Sequence, residues 1–407
     1  MRRLSLDETL RRHGWAKPDY GGNCISSILP YVYRAMKGDT GALPDAMGMC
    51  RGRNNVVLMV ADGMGLNNIG GHEAHLPHIT AAGRAGGLVP FTTVFPSTTA
   101  AALTSLYTSC DPSTHGLLEW YLYIDEAGTV IETLPFRTHN SAEEAEFRKR
   151  GLGVDILSEC RMFGGFREAG FDFTVFFPES ILHSDFSSWM LGGADLKGYQ
   201  SLEEVLQSLQ ERDGGGGRSL AIIYHPDVDS SGHIYGPSSE EYRGEMELVD
   251  SFLGEFSDSC MKDSILLLTA DHGQVGVPPE RVVYLEELEW FDSLLKRNAE
   301  GRPILPYGSA RDLIIRTHSP DEMKRKLLRE LEGRCTVAET AAMVQSGLFG
   351  HGSRAASFER RAGDLWILPL EGEGVWYRHF DDDTVELRGL HGGLTRDEMM
   401  IPLLAVV

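Results

Sequence analysis

Three aspartates in this chain of 407 residues stand just past short apolar runs. Asp62 follows Val56-Val57-Leu58-Met59-Val60-Ala61, and Asp271 follows Ile265-Leu266-Leu267-Leu268-Thr269-Ala270. Asp229 lies in His225-Pro226-Asp227-Val228-Asp229, after Leu220-Ala221-Ile222-Ile223-Tyr224. Asp271-His272 sets a carboxylate beside an imidazole, and Asp229 and His233, in Asp-Ser-Ser-Gly-His, are four residues apart. That spacing lets both reach one ion from a tight turn or a helical turn. His391, in Leu-His-Gly-Gly-Leu, adds an imidazole late in the chain. An Asp-Gly junction alone is ordinary turn chemistry, and any one of these histidines alone reads as structural or surface. The set is different: three carboxylates and three imidazoles suffice for two ions with open positions. Mixed nitrogen and oxygen donors favour zinc, with manganese second. His225 and Asp227 stand close enough to support the ligands rather than to bind directly.

A further element is Phe95-Pro96-Ser97-Thr98-Thr99-Ala100-Ala101-Ala102-Leu103-Thr104. The alanine run is strongly helical, and Ser97 or Thr98 suits the N-cap. Thr99 then falls in the first turn, facing free backbone N–H groups and the positive end of the helix dipole. Such a hydroxyl can accept a phosphoryl group when a metal activates it. A plain capping segment explains the same residues, and the segment alone does not choose between the two readings.

The elements that must position these groups are legible as patterns. Continuous short apolar runs suit central strands covered on both faces. Helical patterns lie between them, such as Ser239 to Phe256 and Ser201-Leu202-Glu203-Glu204-Val205-Leu206-Gln207-Ser208-Leu209-Gln210-Glu211-Arg212. The alternation predicts a three-layer αβα sandwich with a largely parallel central sheet, closed by a last strand over 400–407. All three aspartate-bearing runs then present their ligands at the carboxyl edge of the sheet, where α/β folds bind ligands. Arg311–Arg316 and Asp364–Leu368 read as strands and Pro320–Glu332 as a helix, so about 275–390 is expected to form an inserted cap on a catalytic domain spanning 53–407. Residues 1–52 read as an N-terminal extension packed on the core, with a turn at Asp19–Gly22. The glycine run Gly214–Gly217 reads as a surface loop, since no P-loop Lys-Ser/Thr follows it.

Composition narrows the function classes. The net charge of −21 excludes the basic footprint of sequence-independent nucleic-acid binding, while bound cations can still make an acidic site receptive to anions. Six cysteines at 24, 50, 110, 160, 260 and 335 form no metal-ligand spacing and read as scattered thiols of a reducing compartment. No apolar stretch approaches the roughly 20 residues of a membrane span, and no signal-peptide pattern follows the first arginines. The expectation is a soluble cytoplasmic protein with no membrane or nucleic-acid partner.

The order Asp-Gly, Phe-Pro-Ser-Thr-Thr, Asp-x-x-Gly-His, Asp-His-Gly and a late His-Gly resembles the type I phosphodiesterase/nucleotide pyrophosphatase family of the alkaline phosphatase superfamily, from about Asn55 to the C-terminus. The resemblance implies a phosphodiesterase or pyrophosphatase using two divalent metal ions on a small phosphoester substrate. It implies that Asp62, Thr99, Asp271 and His272 hold one metal and that Asp229, His233 and His391 hold the other. Thr99 would be the nucleophile, forming a phosphothreonine intermediate that is then hydrolysed; Thr98 is the adjacent hydroxyl. The chain also departs from the pattern. The family's nucleotide pyrophosphatases carry Lys before the threonine and Phe-Pro-Asn after it, where this chain has Thr98 and Ala100-Ala101-Ala102. They carry an asparagine after a His-Gly, where His115-Gly116 here leads into Leu117-Leu118-Glu119-Trp120. These differences bear on a nucleotide substrate and on the usual oxyanion contact, and they leave the two-metal chemistry intact. A phosphomonoesterase, a phosphonate hydrolase or a phosphomutase on the same core is the alternative enzyme class. A non-catalytic metal-stabilised binding protein is the alternative outside enzymes, and the intact nucleophile beside an intact ligand set weighs against it.

Overall fold

The computed structural model describes residues 5–212, 217–259, 261 and 263–407. Gly214–Gly216 of the glycine run and Cys260 lie outside the described residues.

The apolar runs form a seven-stranded sheet: β1 (Asn55–Ala61), β2 (Leu88–Thr92), β3 (Asp172–Pro178), β4 (Asp195–Tyr199), β5 (Ser219–His225), β6 (Ser264–Thr269) and β7 (Met400–Val406). Their spatial order is β2-β7-β6-β1-β5-β3-β4. β1, the most central, pairs in parallel with β5 and β6, while β7 runs antiparallel to both of its neighbours. Val56–Ala61 and Ile265–Leu268 are essentially without solvent contact, as strands covered on both faces must be. Register aligns the strand ends: Ala61 lies opposite His225 and Val60 opposite Thr269. The chain therefore leaves β1, β5 and β6 at one edge, and Asp62, Asp229 and Asp271 emerge together.

Three helices complete the frame. α1 (Thr99–Thr108) is buried along its entire length, which explains its small and apolar composition: a helix covered all round cannot afford a polar stripe. α2 (Asp227–Tyr235) follows β5 directly and carries Asp229 and His233 on successive turns. α3 (Glu240–Asp258) begins at Ser239, whose hydroxyl accepts the Tyr242 N–H, and packs along α2. Ahead of β1, the helix Ile28–Met36 places Ile28, Leu29, Val32, Ala35 and Met36 in the main apolar core.

Beyond β6 the strands leave the main sheet. Leu313–Ile315, Leu365–Pro369 and Cys335–Glu339 make a small antiparallel sheet with Leu365–Pro369 in the middle. A second apolar cluster, including Phe291, Leu313, Leu327, Val337, Ile367 and Trp376, forms around it. A separate meander, Tyr121–Ile124, Thr129–Glu132 and Arg137–Thr138, stands on the carboxyl edge after α1. The segment bearing His391 is tied to the smaller sheets by a buried ion pair. Arg311 and Glu398, both without solvent contact, join through two nitrogen–oxygen contacts of 2.9 Å each. Glu398 also accepts the Gly393 N–H at 2.9 Å and the Thr395 hydroxyl at 2.6 Å.

Candidate active site

Each carboxylate on the sheet edge is held by a neighbour that fixes its direction. The Asp62 N–H donates to the His225 carbonyl at 2.9 Å, extending the β1–β5 ladder by one step. One Asp62 oxygen accepts from the Tyr224 hydroxyl. Asp271 Oδ1 accepts the N–H groups of Gly63 at 3.1 Å and of His272 at 2.9 Å. Asp229, on the first turn of α2, accepts from the Gln274 side-chain amide, which also reaches the Asp229 carbonyl at 3.0 Å. Gly63 makes this crowding feasible. It sits at φ +71°, and a Cβ there would lie 2.9 Å from Asp229.

The histidines share one arrangement. His272 Nδ1 lies 3.2 Å from the Gly273 carbonyl, His391 Nδ1 3.0 Å from the Ser97 carbonyl, and His233 Nδ1 2.7 Å from the Gly389 carbonyl. A carbonyl only accepts, so each Nδ1 carries the proton and each Nε2 offers a lone pair. Those lone pairs face carboxylate oxygens. His272 Nε2 is 3.4 Å from Asp62 and 3.3 Å from Asp271, and His233 Nε2 is 3.1 Å from Asp229. His391 Nε2 is 3.9 Å from Asp229. Lone pair against carboxylate is repulsive unless a cation or a proton lies between them. Asp62 Oδ1 and Asp271 Oδ2 are buried with no hydrogen-bond partner. Burial, then the neighbouring charges of Asp271 and Asp229, pushes Asp62 well above the carboxylate range. Burial likewise pushes Asp271 up to about 6. Burial disfavours protons on the rings, bringing His272 down to about 4 and His391 to about 3. Buried imidazoles with Nδ1 anchored to carbonyls, turned toward unsatisfied carboxylates, are the donor geometry of a metal centre.

Two sets of donor atoms lie within 4.8 Å of one another here: Asp62, Asp271 and His272, and Asp229, His272 and His391. His272 belongs to both. The sequence expectation assigned it to the first set alone and grouped His233 with Asp229 and His391; here His233 joins through Asp229. Thr99 completes the arrangement as the first residue of α1, its hydroxyl 3.1 Å from His272 Nε2. Thr98 occupies the N-cap without a capping bond from its side chain, and its hydroxyl donates to the Leu118 carbonyl at 3.4 Å. Ser97 bonds backbone instead, donating to the Gly393 carbonyl at 2.8 Å. His225 and Asp227 gather with Glu245 in a separate group.

A cavity of about 450 Å³ opens over Thr99, Asp229, His233 and His391. Trp120, Tyr121 and Trp376 give it an aromatic wall, and Arg137, Glu132 and Asp383 stand on its polar side. Behind Tyr121, His139 lies 3.0 Å from Asp383 and 3.8 Å from Glu132. Burial alone would lower the His139 pKa, but these two carboxylates push it up to about 9. Glu119 also lines the cavity, fully buried with one oxygen unpartnered. Burial and then the adjacent Asp312 push Glu119 well above the carboxylate range, while burial brings Asp312 to about 6. The two acids therefore share a proton. Glu119, Gln274 and Tyr224 went unrecognised in the sequence because each is a lone polar residue without a motif around it.

The profile of the family described as type I phosphodiesterase / nucleotide pyrophosphatase matches residues 56–394. The chain belongs to this family. Among curated proteins it resembles ectonucleotide pyrophosphatase/phosphodiesterase family member 7 of Rattus norvegicus, 35% identical over 95 residues, 22% of this chain and 21% of that protein. It also resembles an uncharacterised pyrophosphatase/phosphodiesterase of Schizosaccharomyces pombe, 28% identical over 85 residues, 20% of this chain and 18% of that protein. These matches thus span about a fifth of each relative's length. Among solved structures, an inactive variant of murine ectonucleotide pyrophosphatase/phosphodiesterase 5 in complex with AMP superposes with a TM-score of 0.60 at 16% identity, covering 86% of this chain and 87% of that one. Phosphonoacetate hydrolase from Sinorhizobium meliloti, in complex with phosphonoformate, superposes with a TM-score of 0.55 at 16% identity over 87% of this chain and 89% of that one. The type I phosphodiesterase/nucleotide pyrophosphatase family member described here thus has the alkaline phosphatase-like fold, with a mostly parallel central sheet.

Proposed function

We propose that this family member is a metal-dependent phosphoester hydrolase, a phosphodiesterase or pyrophosphatase, with Thr99 as nucleophile. The observation that carries the reading is the position of the Thr99 hydroxyl, 3.1 Å from His272 Nε2 on the first residue of a buried helix. Asp62, Asp271, His272 and Thr99 would hold one divalent ion and Asp229, His233 and His391 a second, with His272 close enough to either set to orient both. The donor set favours zinc, then manganese. When bound, such ions supply Lewis acidity toward the phosphoryl group and make a hydroxyl nucleophilic at neutral pH.

The residues of the chain do the rest. The first-turn N–H groups of α1 have no acceptor within the helix and point at the position a phosphoryl oxygen takes beside Thr99. Attack by Thr99 Oγ1 on phosphorus breaks the bond to the leaving oxygen, which departs with a proton, and leaves a phosphothreonine. Water then attacks the same phosphorus, returns the Thr99 hydroxyl and releases the phosphate product. Glu119, kept protonated by Asp312, supplies a donor on the side where relatives present an amide. The aromatic wall suits a flat or apolar leaving group, and the acidic side chains around Arg137 disfavour a crowded dianion. Both features favour a diester over a monoester. The described cysteines 24, 50, 110, 160 and 335 are free, which supports residence in a reducing compartment. No helix among the described residues is long and apolar enough to cross a membrane.

The test is hydrolysis of a bis-aryl and a mono-aryl phosphate after loading with zinc or manganese, with metal content measured on the same sample. Faster turnover of the diester is expected. No turnover of either ester by a fully loaded protein would remove the proposal.

A further inference from the structure

A second group of metal-ligating side chains lies away from the cavity. His225 closes β5, Asp227 opens α2 and Glu245 stands on α3. One donor atom from each falls within 4.8 Å of the others, and none of the three residues lines the cavity over Thr99.

The hydrogen bonds around His225 decide which nitrogen it offers. The Tyr199 hydroxyl, at the end of β4, donates to the Tyr224 carbonyl at 2.8 Å. A tyrosine hydroxyl has a single proton, so toward His225 Nδ1, 3.4 Å away, it can only accept. Nδ1 therefore carries the ring proton, and Nε2 presents a bare lone pair. His225 is only 4% exposed, and its Nε2 has no hydrogen-bond partner. The same logic held for the histidines over Thr99: one nitrogen fixed by an oxygen, the other left for a cation. Asp227 and Glu245 supply oxygen donors, and among the described residues neither is paired with a lysine or arginine. Asp227 is exposed and Glu245 half-buried, so the group is open to solvent on one side and can exchange an ion.

We propose that His225 Nε2, Asp227 and Glu245 form a further divalent-cation site, separate from the ions at Thr99, with the remaining positions taken by water. One nitrogen and two carboxylates select a zinc- or manganese-class ion over calcium. An ion here bridges three elements, β5, α2 and α3. It bears on the active site through the backbone alone. The His225 carbonyl receives the Asp62 N–H, and Asp227 is two residues ahead of Asp229 on the same helix. Its role is to brace the junction that aims those two ligands.

The experiment compares metal-free wild type, Asp227→Asn, and the double variant Asp227→Asn/Glu245→Gln, each dialysed against the same low free zinc concentration and analysed for zinc per chain. These substitutions alter an exposed and a half-buried side chain, so folding is retained, and circular dichroism verifies it. The double variant is expected to hold one zinc fewer than wild type and to gain less in melting temperature when zinc is added. Asp227→Asn is expected to need a higher zinc concentration to regain the same count. Equal zinc content in wild type and double variant across the titration overturns the proposal. The readout is a difference of one ion. A wild type holding a single zinc that the double variant loses would sink the proposed pair at Thr99 while upholding this site.

Discussion

The rings of His272 and His391 lie face to face, their centroids 3.6 Å apart and their planes inclined by 13°. Stacked imidazoles avoid sharing positive charge, and burial keeps both neutral. The stack therefore presents two adjacent Nε2 lone pairs, one from the middle of the chain and one from near its end. Replacing His391 with alanine should lower affinity for one of the two proposed ions and leave the fold intact, since only the Ser97 carbonyl contact is lost on the protein side. Elemental analysis together with a melting curve measures both effects; unchanged metal content and activity would exclude the role.

Thr99→Ala should abolish turnover by several orders of magnitude and eliminate any trapped phosphoenzyme. Alanine is well suited to a first helical turn, so the fold should persist. Thr98→Ala is the matched comparison. It removes a buried hydrogen bond to Leu118, costing about 1 kcal/mol of stability, with a modest effect on rate. Acid trapping and mass spectrometry locate the phosphate. If Thr98→Ala is inactive while Thr99→Ala turns over, the assignment is reversed.

Gly63→Ala should disturb the site without touching a donor atom. The new Cβ meets Asp229 at 2.9 Å on a backbone at φ +71°, so strain of about 1–3 kcal/mol and a displaced Asp229 are expected. Reduced metal affinity together with a lower melting temperature is the expected pair of results. A variant with wild-type values for both would show that the approach of Gly63 to Asp229 is unimportant.

Stability should depend on His139 in an alkaline window. Its folded pKa of about 9 exceeds the unfolded value of 6.5, because Asp383 and Glu132 outweigh burial. The protonated ring therefore stabilises the fold fully below about pH 6.5, and that contribution disappears as pH rises through about 9. Allowing for solvent screening, the loss is about 1–2 kcal/mol. Melting temperatures of metal-loaded protein between these pH values should fall, and His139→Gln should flatten the slope. An equal slope in the variant would assign the effect elsewhere.

The sheet and the nucleophile segment were legible because their signals are local. Apolar runs ending in Asp62, Asp229 and Asp271 disclose both strand and edge, and register then brings the three together. The ligand partition was less legible. That His272 lies between both carboxylate groups depends on its stack with His391, a contact across more than a hundred residues that spacing cannot reveal. Tyr224 was read as the end of a buried strand, which it is, but its hydroxyl also reaches Asp62. The aromatic wall was illegible because Trp120, Tyr121 and Trp376 come from a meander and a distant strand with no common periodicity. His225 and Asp227 were read as supports for the ligands, whereas Glu245, a helix away, gives them a partner of their own.

The buried Arg311–Glu398 pair sets a rule for recombining this protein with its relatives. Pocket-wall segments and ligand loops could be exchanged as modules, since they belong to different sheets. A chimera that imports the 275–390 region without a matching Arg311, however, strands Glu398 as a lone interior charge, at a cost of about 3–5 kcal/mol. The same carboxylate holds the Gly393 and Thr395 backbone just after His391. Grafts that seek a new substrate must therefore carry the guanidinium and its acceptor together, or lose the catalytic histidine's footing along with the old specificity.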